Sequence, residues 1–438
     1  MVSDIYQQRR IALLNQLPKN SLVLLAGYQQ KVRSKNIKYH FRQDNNFFYL
    51  TGFGEPDAIA LIVKAETTSF HLFLRPKDKV QEVNFGNRAG ITGAIEHYNA
   101  DHAYPVSGFT TQLLRLMEGV TSLYVCDENN RFSSDIVSWA NHHRHSGSFD
   151  TPKQFVAIKQ LAEVLHQHRL VKTEDEINNI RHAVKASTFA HKKVMQACCP
   201  DINERELSAL FNFSVAKGGC SEVAYPNIVA SGNNACCLHY EDNCCELKDG
   251  QMLLIDAGAE YQYYASDITR SYPVNGKFSD EQTAIYQIVL NALDRAIEIV
   301  KPGLSWNSIN ETCMKVMATG LKELGLLTGS IEHIMTTESY KRFTVHKTGH
   351  WLGMDVHDVG PYHDTAGNWR RLESGMVFTI EPGIYIPEDA TDVPEVYRGM
   401  GIRIEDDVLV TDTGCENLSK AIPRTVDEIE AIMAETEV

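Results

Sequence analysis

The amino-acid sequence predicts an α/β protein built as two domains. Three observations carry that expectation. The chain has 438 residues, more than one ordinary core accommodates. Residues 1 to about 170 alternate short apolar runs with longer helical or loop stretches. The remainder reads as a helix–helix–strand unit used twice, which implies two strand regions facing each other across a pseudo-symmetric cleft. Hydrophobic residues at 43% and charged residues at 22% are ordinary globular values, and no low-complexity tract interrupts the chain.

Taken in order, the N-terminal segment MVSDIYQQRRIALLNQL places Asp4 and Gln7 where a signal peptide needs an apolar run. No later stretch approaches the roughly 20 apolar residues of a membrane span. The expectation is a cytoplasmic protein without a membrane partner. The runs SLVLLAG, NNFFYLTGF, AIALIVK, FHLFLRP and SLYVCD mark the first α/β domain, which carries no catalytic constellation. Residues 154–171 read as one helix leading to a junction, giving domains 1–172 and 173–438. Thr173 and Glu176 then form a capping box ahead of helical apolar spacing at Ile177, Ile180, Ala183 and Val184. Helices are expected at about 174–197, 204–218, 280–300 and 306–325. Asn203 with Glu206 and Ser279 with Gln282 supply cap signals, and Pro302-Gly303 ends the third helix.

The formal charge of −14 argues against a nucleic-acid partner, which needs concentrated Lys and Arg. An acidic excess suits a chain that gathers carboxylates around cations. The ten cysteines lack CxxC metal spacing and are too sparse for a disulfide scaffold. The vicinal pairs Cys198-Cys199, Cys236-Cys237 and Cys244-Cys245 are read as reduced, packed thiols, because adjacent cysteines rarely bridge without strain.

Four C-terminal segments place acidic or imidazole groups in strand or turn context: LLIDAGAEYQYYASDITRSYPV, TVHKTGHWLGMDVHDVG, GMVFTIEPGIYI and GMGIRIEDDVLV. Asp256 and Glu381 each end an apolar strand and are followed at once by a chain-reversing Ala-Gly or Pro-Gly. Asp267 lies eleven residues after Asp256, a separation suited to neighbouring strands joined by a turn. Glu405 follows Ile402 and Ile404 in an alternating IRIED strand, and His350 lies in a Gly-flanked loop. Four carboxylates converging in a partly buried space would repel one another and take up protons unless cations neutralised them. Two divalent ions match four negative charges. Oxygen donors plus one imidazole favour a fairly hard cation, so Mn²⁺ is the first choice, with Co²⁺ or Zn²⁺ able to substitute. The HxxxH formed by His346 and His350 is not a zincin motif, because Lys347 stands where Glu is required and Gly349 opposes a helix.

Those segments, with RQDNNFFYLTGFGEPDA in the first domain, resemble the aminopeptidase P family of metallopeptidases over nearly the whole chain. The resemblance implies an N-terminal mixed-sheet domain and a C-terminal pita-bread domain like those of creatinase and methionine aminopeptidase, with pseudo-two-fold symmetry. Methionine aminopeptidases share the five ligands but usually lack so large an N-terminal domain, and creatinase shares the fold without the metals. The implied activity is removal of the N-terminal residue from peptides with proline second. Asp256 would bind one metal, His350 and Glu381 the other, and Asp267 and Glu405 both. A hydroxide held between the metals would attack the Xaa-Pro bond, with Glu381 passing a proton to the proline nitrogen. By the same resemblance His357 would stabilise the substrate carbonyl or the tetrahedral intermediate, His239 would sit beside the proline, and His346 near the first residue's pocket. Tyr385 and Arg403 would orient Asp256.

The alternatives are a prolidase restricted to Xaa-Pro dipeptides and a non-catalytic peptide-binding module on the same fold. The latter characteristically loses metal ligands, whereas all five are present here. The family forms homo-oligomers, so a dimer or tetramer is expected. This chain has Asn84 before Phe85-Gly86, where the family typically has a Trp associated with a neighbouring subunit's site.

Overall fold

The computed structural model describes residues 4–128, 130–145 and 156–435. They divide into two compact units, Met1–His168 and Arg169–Val438.

In the first unit, strands β1 (Ser21–Ala26), β2 (Ile59–Lys64), β3 (Thr68–Leu74), β4 (His102–Pro105), β5 (Ser122–Cys126) and β6 (Ala157–Gln160) form one sheet. Their spatial order is β4-β3-β2-β1-β5-β6. Strand β1 pairs antiparallel with β2 and parallel with β5, so the sheet is mixed, as expected. Every residue of β1 and β5 is buried, which is why these strands read as continuous apolar runs rather than alternating ones.

Two segments differ from the sequence reading. The run NNFFYLT is a helix, Asn45–Thr51, begun by Asp44 accepting a hydrogen bond from the Phe47 amide at 2.7 Å and closed by Gly52 at φ +65°. A short apolar run does not by itself separate a buried helix from a buried strand. Residues 154–171 are not one helix. Positions 154 and 155 lie outside the described residues; β6 follows, then a helix at Ala162–Leu170. The start of the segment is strand because it pairs in parallel with β5, a partner some 35 residues away that helical periodicity does not register.

The second unit contains the repeated helix pair. Helices α1 (Glu174–Ala197) and α2 (Glu204–Lys217) open the first half, and α3 (Asp280–Ile299) and α4 (Asn307–Glu323) the second. The capping boxes at Thr173/Glu176, Asn203/Glu206 and Ser279/Gln282 all form. After α2 come β7 (Ile228–Ser231), β8 (Met252–Asp256), β9 (Ala259–Tyr261), β10 (Tyr264–Ala265) and β11 (Thr269–Pro273). After α4 come β12 (Val377–Ile380), β13 (Gly383–Ile386), β14 (Met400–Arg403), β15 (Asp406–Val410) and β16 (Cys415–Asn417). The sheets are ordered β7-β8-β11, β12-β15-β16 and β13-β14.

IRIED is not one continuous strand. Strand β14 pairs with β13 whereas β15 pairs with β12, so Ile404-Glu405 is the joint at which the chain changes sheets. That joint is stitched to the first half of the unit. The Glu405 amide donates to the Thr269 carbonyl at 3.1 Å, and the Ser271 hydroxyl donates to the Arg403 carbonyl at 2.9 Å. The fully buried Arg270 donates to the Glu405 carbonyl at 2.6 Å and to Asp406 Oδ1 at 2.7 Å. No helix among the described residues is long and apolar enough to cross a membrane.

Candidate metal centre

The register of β8 against β11 sets Asp256 opposite Thr269, two residues beyond Asp267, so both carboxylates come to the same end of one sheet. A short hairpin, β9–β10, occupies the interval between them rather than a bare turn. Glu381 leaves the end of β12, and Glu405 sits at the β14–β15 joint. His350 is carried by the loop that pairs with β12: the Thr379 amide donates to the His350 carbonyl at 2.9 Å, and the His350 amide donates to Thr379 Oγ1 at 3.2 Å. The approach is tight. A Cβ added at Gly349 would lie 2.1 Å from the Thr379 carbonyl oxygen.

A cavity of about 210 Å³ collects these groups: Asp256, Asp267, His350, Glu381 and Glu405, with His239, His346, His357, Arg403 and Lys347 around them. Asp267, His350 and Glu405 each offer a ligand atom, all lying within 4.8 Å of one another. His350 Nε2 is 3.3 Å from Asp267 Oδ2 and 3.7 Å from Glu381 Oε1. Its Nδ1 lies 3.0 Å from the Trp351 carbonyl, which fixes the proton there and leaves Nε2 as the lone-pair donor a cation needs.

Electrostatics favour added positive charge. Burial, the largest influence, pushes Glu381 up to about 7, raises Asp256, and lifts Glu405 well above the usual carboxylate range. Burial opposes ionisation of Asp267 too, but the hydrogen bond and charge of His350 outweigh it and hold that group low. His350 itself is driven up to about 9: burial disfavours its charge, but Asp267 and Glu381 more than compensate. The cluster thus draws positive charge into its centre, and divalent ions fit both the donor set and that demand.

The surrounding contacts are specific. Arg403 donates from Nη2 to Asp256 Oδ2 at 2.6 Å, from Nη1 to the Tyr385 hydroxyl at 2.8 Å and from Nε to Thr269 Oγ1 at 3.1 Å. Thr269 in turn donates to Glu405 Oε2 at 2.7 Å. Tyr385 touches Asp256 only through Arg403; its hydroxyl lies 2.7 Å from His346 Nε2, while His346 Nδ1 is 2.7 Å from the Lys347 carbonyl. His346 therefore accepts at Nε2 and donates at Nδ1, and burial, reinforced by the nearby Arg403 charge, lowers it to about 4. His357 packs edge-on against His350, ring centroids 4.3 Å apart, and His239 lines the same cavity.

Three contributors were not anticipated. The Tyr225 hydroxyl lies 2.6 Å from Asp256 Oδ1 and 2.5 Å from Asp267 Oδ1. Asp407 accepts the Asp267 amide at 3.2 Å, and Thr269 links Arg403 to Glu405. The strand pattern around Thr269 and Asp407 was readable, but nothing in YPNIV marks Tyr225 as a partner of carboxylates 31 and 42 residues away.

Comparison with known proteins agrees with this architecture. Residues 178–412 match metallopeptidase family M24, and residues 6–124 match the aminopeptidase P N-terminal domain. The chain is 39% identical over 430 residues to the Xaa-Pro aminopeptidase of Escherichia coli (strain K12), covering 98% of this chain and 97% of that protein. It is 36% identical over 413 residues to Xaa-Pro aminopeptidase 3 of Mus musculus, covering 92% and 79%. Among solved structures it is similar to Pseudomonas aeruginosa aminopeptidase PepP, with a TM-score of 0.95, 43% identity and coverage of 98% and 97%. It is also similar to a zinc-substituted Escherichia coli aminopeptidase P in complex with product, with a TM-score of 0.94, 38% identity and 98% coverage of both chains.

Proposed function

This chain belongs to metallopeptidase family M24 and, within it, to the aminopeptidase P family, and from that premise we propose how its own residues carry the reaction. The chain is an Xaa-Pro aminopeptidase, a hydrolase that releases the N-terminal residue from peptides with proline in second position. The observation that carries the reading is the gathering of five potential ligands and three histidines around one cavity. Residues 173–438 are the catalytic domain and residues 1–172 the N-terminal domain.

Asp256, Asp267, His350, Glu381 and Glu405 would hold two divalent ions, Mn²⁺ by preference, through four carboxylates and one imidazole. When bound, such a pair lowers the pKa of water to supply a nucleophile at neutral pH and polarises the scissile carbonyl. Glu381 accepts the nucleophile's proton and returns it to the departing proline nitrogen. His357 donates to the carbonyl oxygen as its charge grows. His239 borders the proline, and His346, fixed in one tautomer by Tyr385 and the Lys347 carbonyl, borders the first residue. Arg403 aims Asp256 and opposes the rise that burial imposes on it, and Tyr385 holds Arg403.

Incubation of the Mn²⁺-loaded protein with Xaa-Pro and Xaa-Pro-Yaa tests the activity: the longer peptide is expected to be cleaved, and cleavage of the dipeptide alone would refute it. Glu381→Ala and Asp267→Ala are expected to abolish turnover with the first domain still folded; full activity in either contradicts the assigned site.

The protein is further proposed to be cytoplasmic, a reading that its ten free thiols support, and to bind no nucleic acid, in line with its charge of −14. It is also proposed to form a homo-oligomer. In the first unit Val32, Ile37 and Tyr39 are more than half exposed, as are Val80, Val83 and Phe85, and Lys38 lies over the Phe85 ring at 4.2 Å, which makes the two groups neighbours. Asn84 turns back onto its own helix, donating to the Val80 carbonyl at 2.8 Å, so the apolar contribution at this edge comes from Val80, Val83 and Phe85. A purely monomeric protein in light scattering would overturn this.

A further inference from the structure

Two cationic side chains besides the histidines line the catalytic cavity, Arg403 and Lys347. Arg403 is spent on Asp256, Tyr385 and Thr269. The Lys347 ammonium has neither a hydrogen bond nor an ion pair among the described residues. Lys347 is also the one residue shared by the catalytic cavity and two adjoining cavities, of about 620 and 740 Å³. These lie within the range of small-ligand sites, about 300–1,000 Å³.

The two adjoining cavities differ in chemistry. The larger is faced by Glu311, by Glu338 with its ion-paired Lys341, and by His346 and Lys347, a mixed-charge lining. The chamber of about 620 Å³ is faced by no carboxylate. Trp306, Tyr362 and Trp369 wall it, with the Trp306 and Tyr362 ring centroids 5.1 Å apart and His363 tilted against Trp369 at 4.1 Å. Asn307 and Asn310 supply amide donors, and Lys347 brings positive charge to the edge where the chamber meets the catalytic cavity. Thr348 and Gly349 continue the chamber's lining from Lys347. The catalytic cavity is therefore adjoined, through the shared Lys347, by an aromatic-walled space with a free ammonium at its edge.

We propose that Lys347 is a specificity-determining residue that recognises a substrate carboxylate directed into this aromatic chamber, so that acidic or short free-acid Xaa-Pro peptides are favoured over neutral ones. The inference rests on the Xaa-Pro aminopeptidase reading and deepens it. The carboxylate has two sources, a side chain or the peptide's own C-terminus. The aromatic chamber has no carboxylate in its lining, so the unpaired ammonium at its edge meets no competing negative charge there. Discrimination of this kind falls mainly on KM and weakens with salt, because Lys347 is exposed at the cavity mouth.

The test uses the full Mn²⁺-loaded chain and matched peptides: Ala-Pro-Ala as acid and amide, Glu-Pro-Ala amide against Gln-Pro-Ala amide, and Ala-Pro-Glu amide against Ala-Pro-Gln amide. At low salt the acidic member of at least one pair is expected to have a kcat/KM roughly tenfold higher, and the winning pair identifies the source. That ratio is expected to collapse towards one in Lys347→Met and to invert in Lys347→Glu, with melting temperatures unchanged. Cleavage of the neutral amides without any acid preference, or a preference that survives in Lys347→Met, overturns the proposal while leaving the activity standing. Failure to cleave any Xaa-Pro peptide overturns the activity, and this inference with it.

Discussion

Tyr225 is where a single side chain changes the account of the site most. Its one hydroxyl proton serves either Asp256 Oδ1 or Asp267 Oδ1, each at hydrogen-bonding distance, so it holds the two carboxylates in register. Burial, with the charges of both aspartates, raises its own pKa well above the ordinary phenol value and keeps it a donor. Groups that orient metal ligands typically carry 10–100-fold of affinity or activity. Tyr225→Phe is therefore expected to lower Mn²⁺ affinity and kcat/KM by roughly that factor at unchanged melting temperature, read by metal titration and peptide assay. Wild-type metal affinity in this variant would remove Tyr225 from the site. Asp256 and Glu381 were legible because each closes an apolar strand beside Gly or Pro, Asp267 through its spacing from Asp256 and Glu405 through the alternation before it. Tyr225 carries no such mark, since its meaning lies in what it faces.

The loop from His350 to Tyr362 shows how an element without regular structure is made rigid. Asp358, the neighbour of His357, is almost fully buried and takes Arg169 Nη2 at 2.6 Å and Lys172 Nζ at 2.9 Å, while Arg169 also reaches Asp355 at 2.8 Å. The space is full, for a Cβ at Gly353 would lie 2.2 Å from Asp358 Oδ2. Burial opposes ionisation of Asp358, but Lys172 and Arg169 outweigh it and hold its pKa below the usual value. A depressed folded-state pKa contributes stability that is present above the unfolded carboxylate pKa, about 3.9, and lost as pH falls through the lower native one. Lys172→Met strands part of a buried ion group and is expected to destabilise the second unit by about 3 kcal/mol in urea unfolding. Through His357, kcat is expected to fall more than KM rises. A variant with wild-type kcat and altered stability would show that the ion group supports the fold without aiming His357.

At the scale of the whole chain, the two units have separate cores, and the proposed cation ligands all belong to the second. Binding to the native state alone stabilises by RT ln(1 + [L]/Kd), about 2.7 kcal/mol at a hundredfold excess over Kd. Chelation is therefore expected to lower the melting transition of the second unit by several degrees and leave the first unmoved. Of the four tryptophans, Trp139 reports on the first unit, and Trp306, Trp351 and Trp369 on the second, so fluorescence of Trp139→Phe isolates the latter. Equal shifts in both units would contradict a site confined to the second. Each core also buries a neutral histidine: burial lowers His71 to about 4 and His191 to about 3. Because the unfolded chain protonates near pH 6.5 and the native groups do not, stability falls as pH drops from about 6.5 towards those values, on the order of 3 kcal/mol for His71 and about 5 kcal/mol for His191. His71→Gln is expected to flatten that slope for the first unit and His191→Gln for the second, as urea midpoints between pH 4 and about 7 would show.

What the sequence determined by itself is local. Helix spans with their capping boxes, the apolar runs of the sheets and the identity of the ligand candidates follow from spacing within a few residues, the range over which helical hydrogen bonds and strand alternation act. Tertiary structure alone decided the strand at Ala157–Gln160, the break between Arg403 and Asp406, the insertion of Tyr225 between two aspartates and the meeting of Thr269 with Glu405 across 136 positions. Sheet partners and charge partners are chosen by the packing of distant segments, and no short stretch of chain contains the energy that selects them.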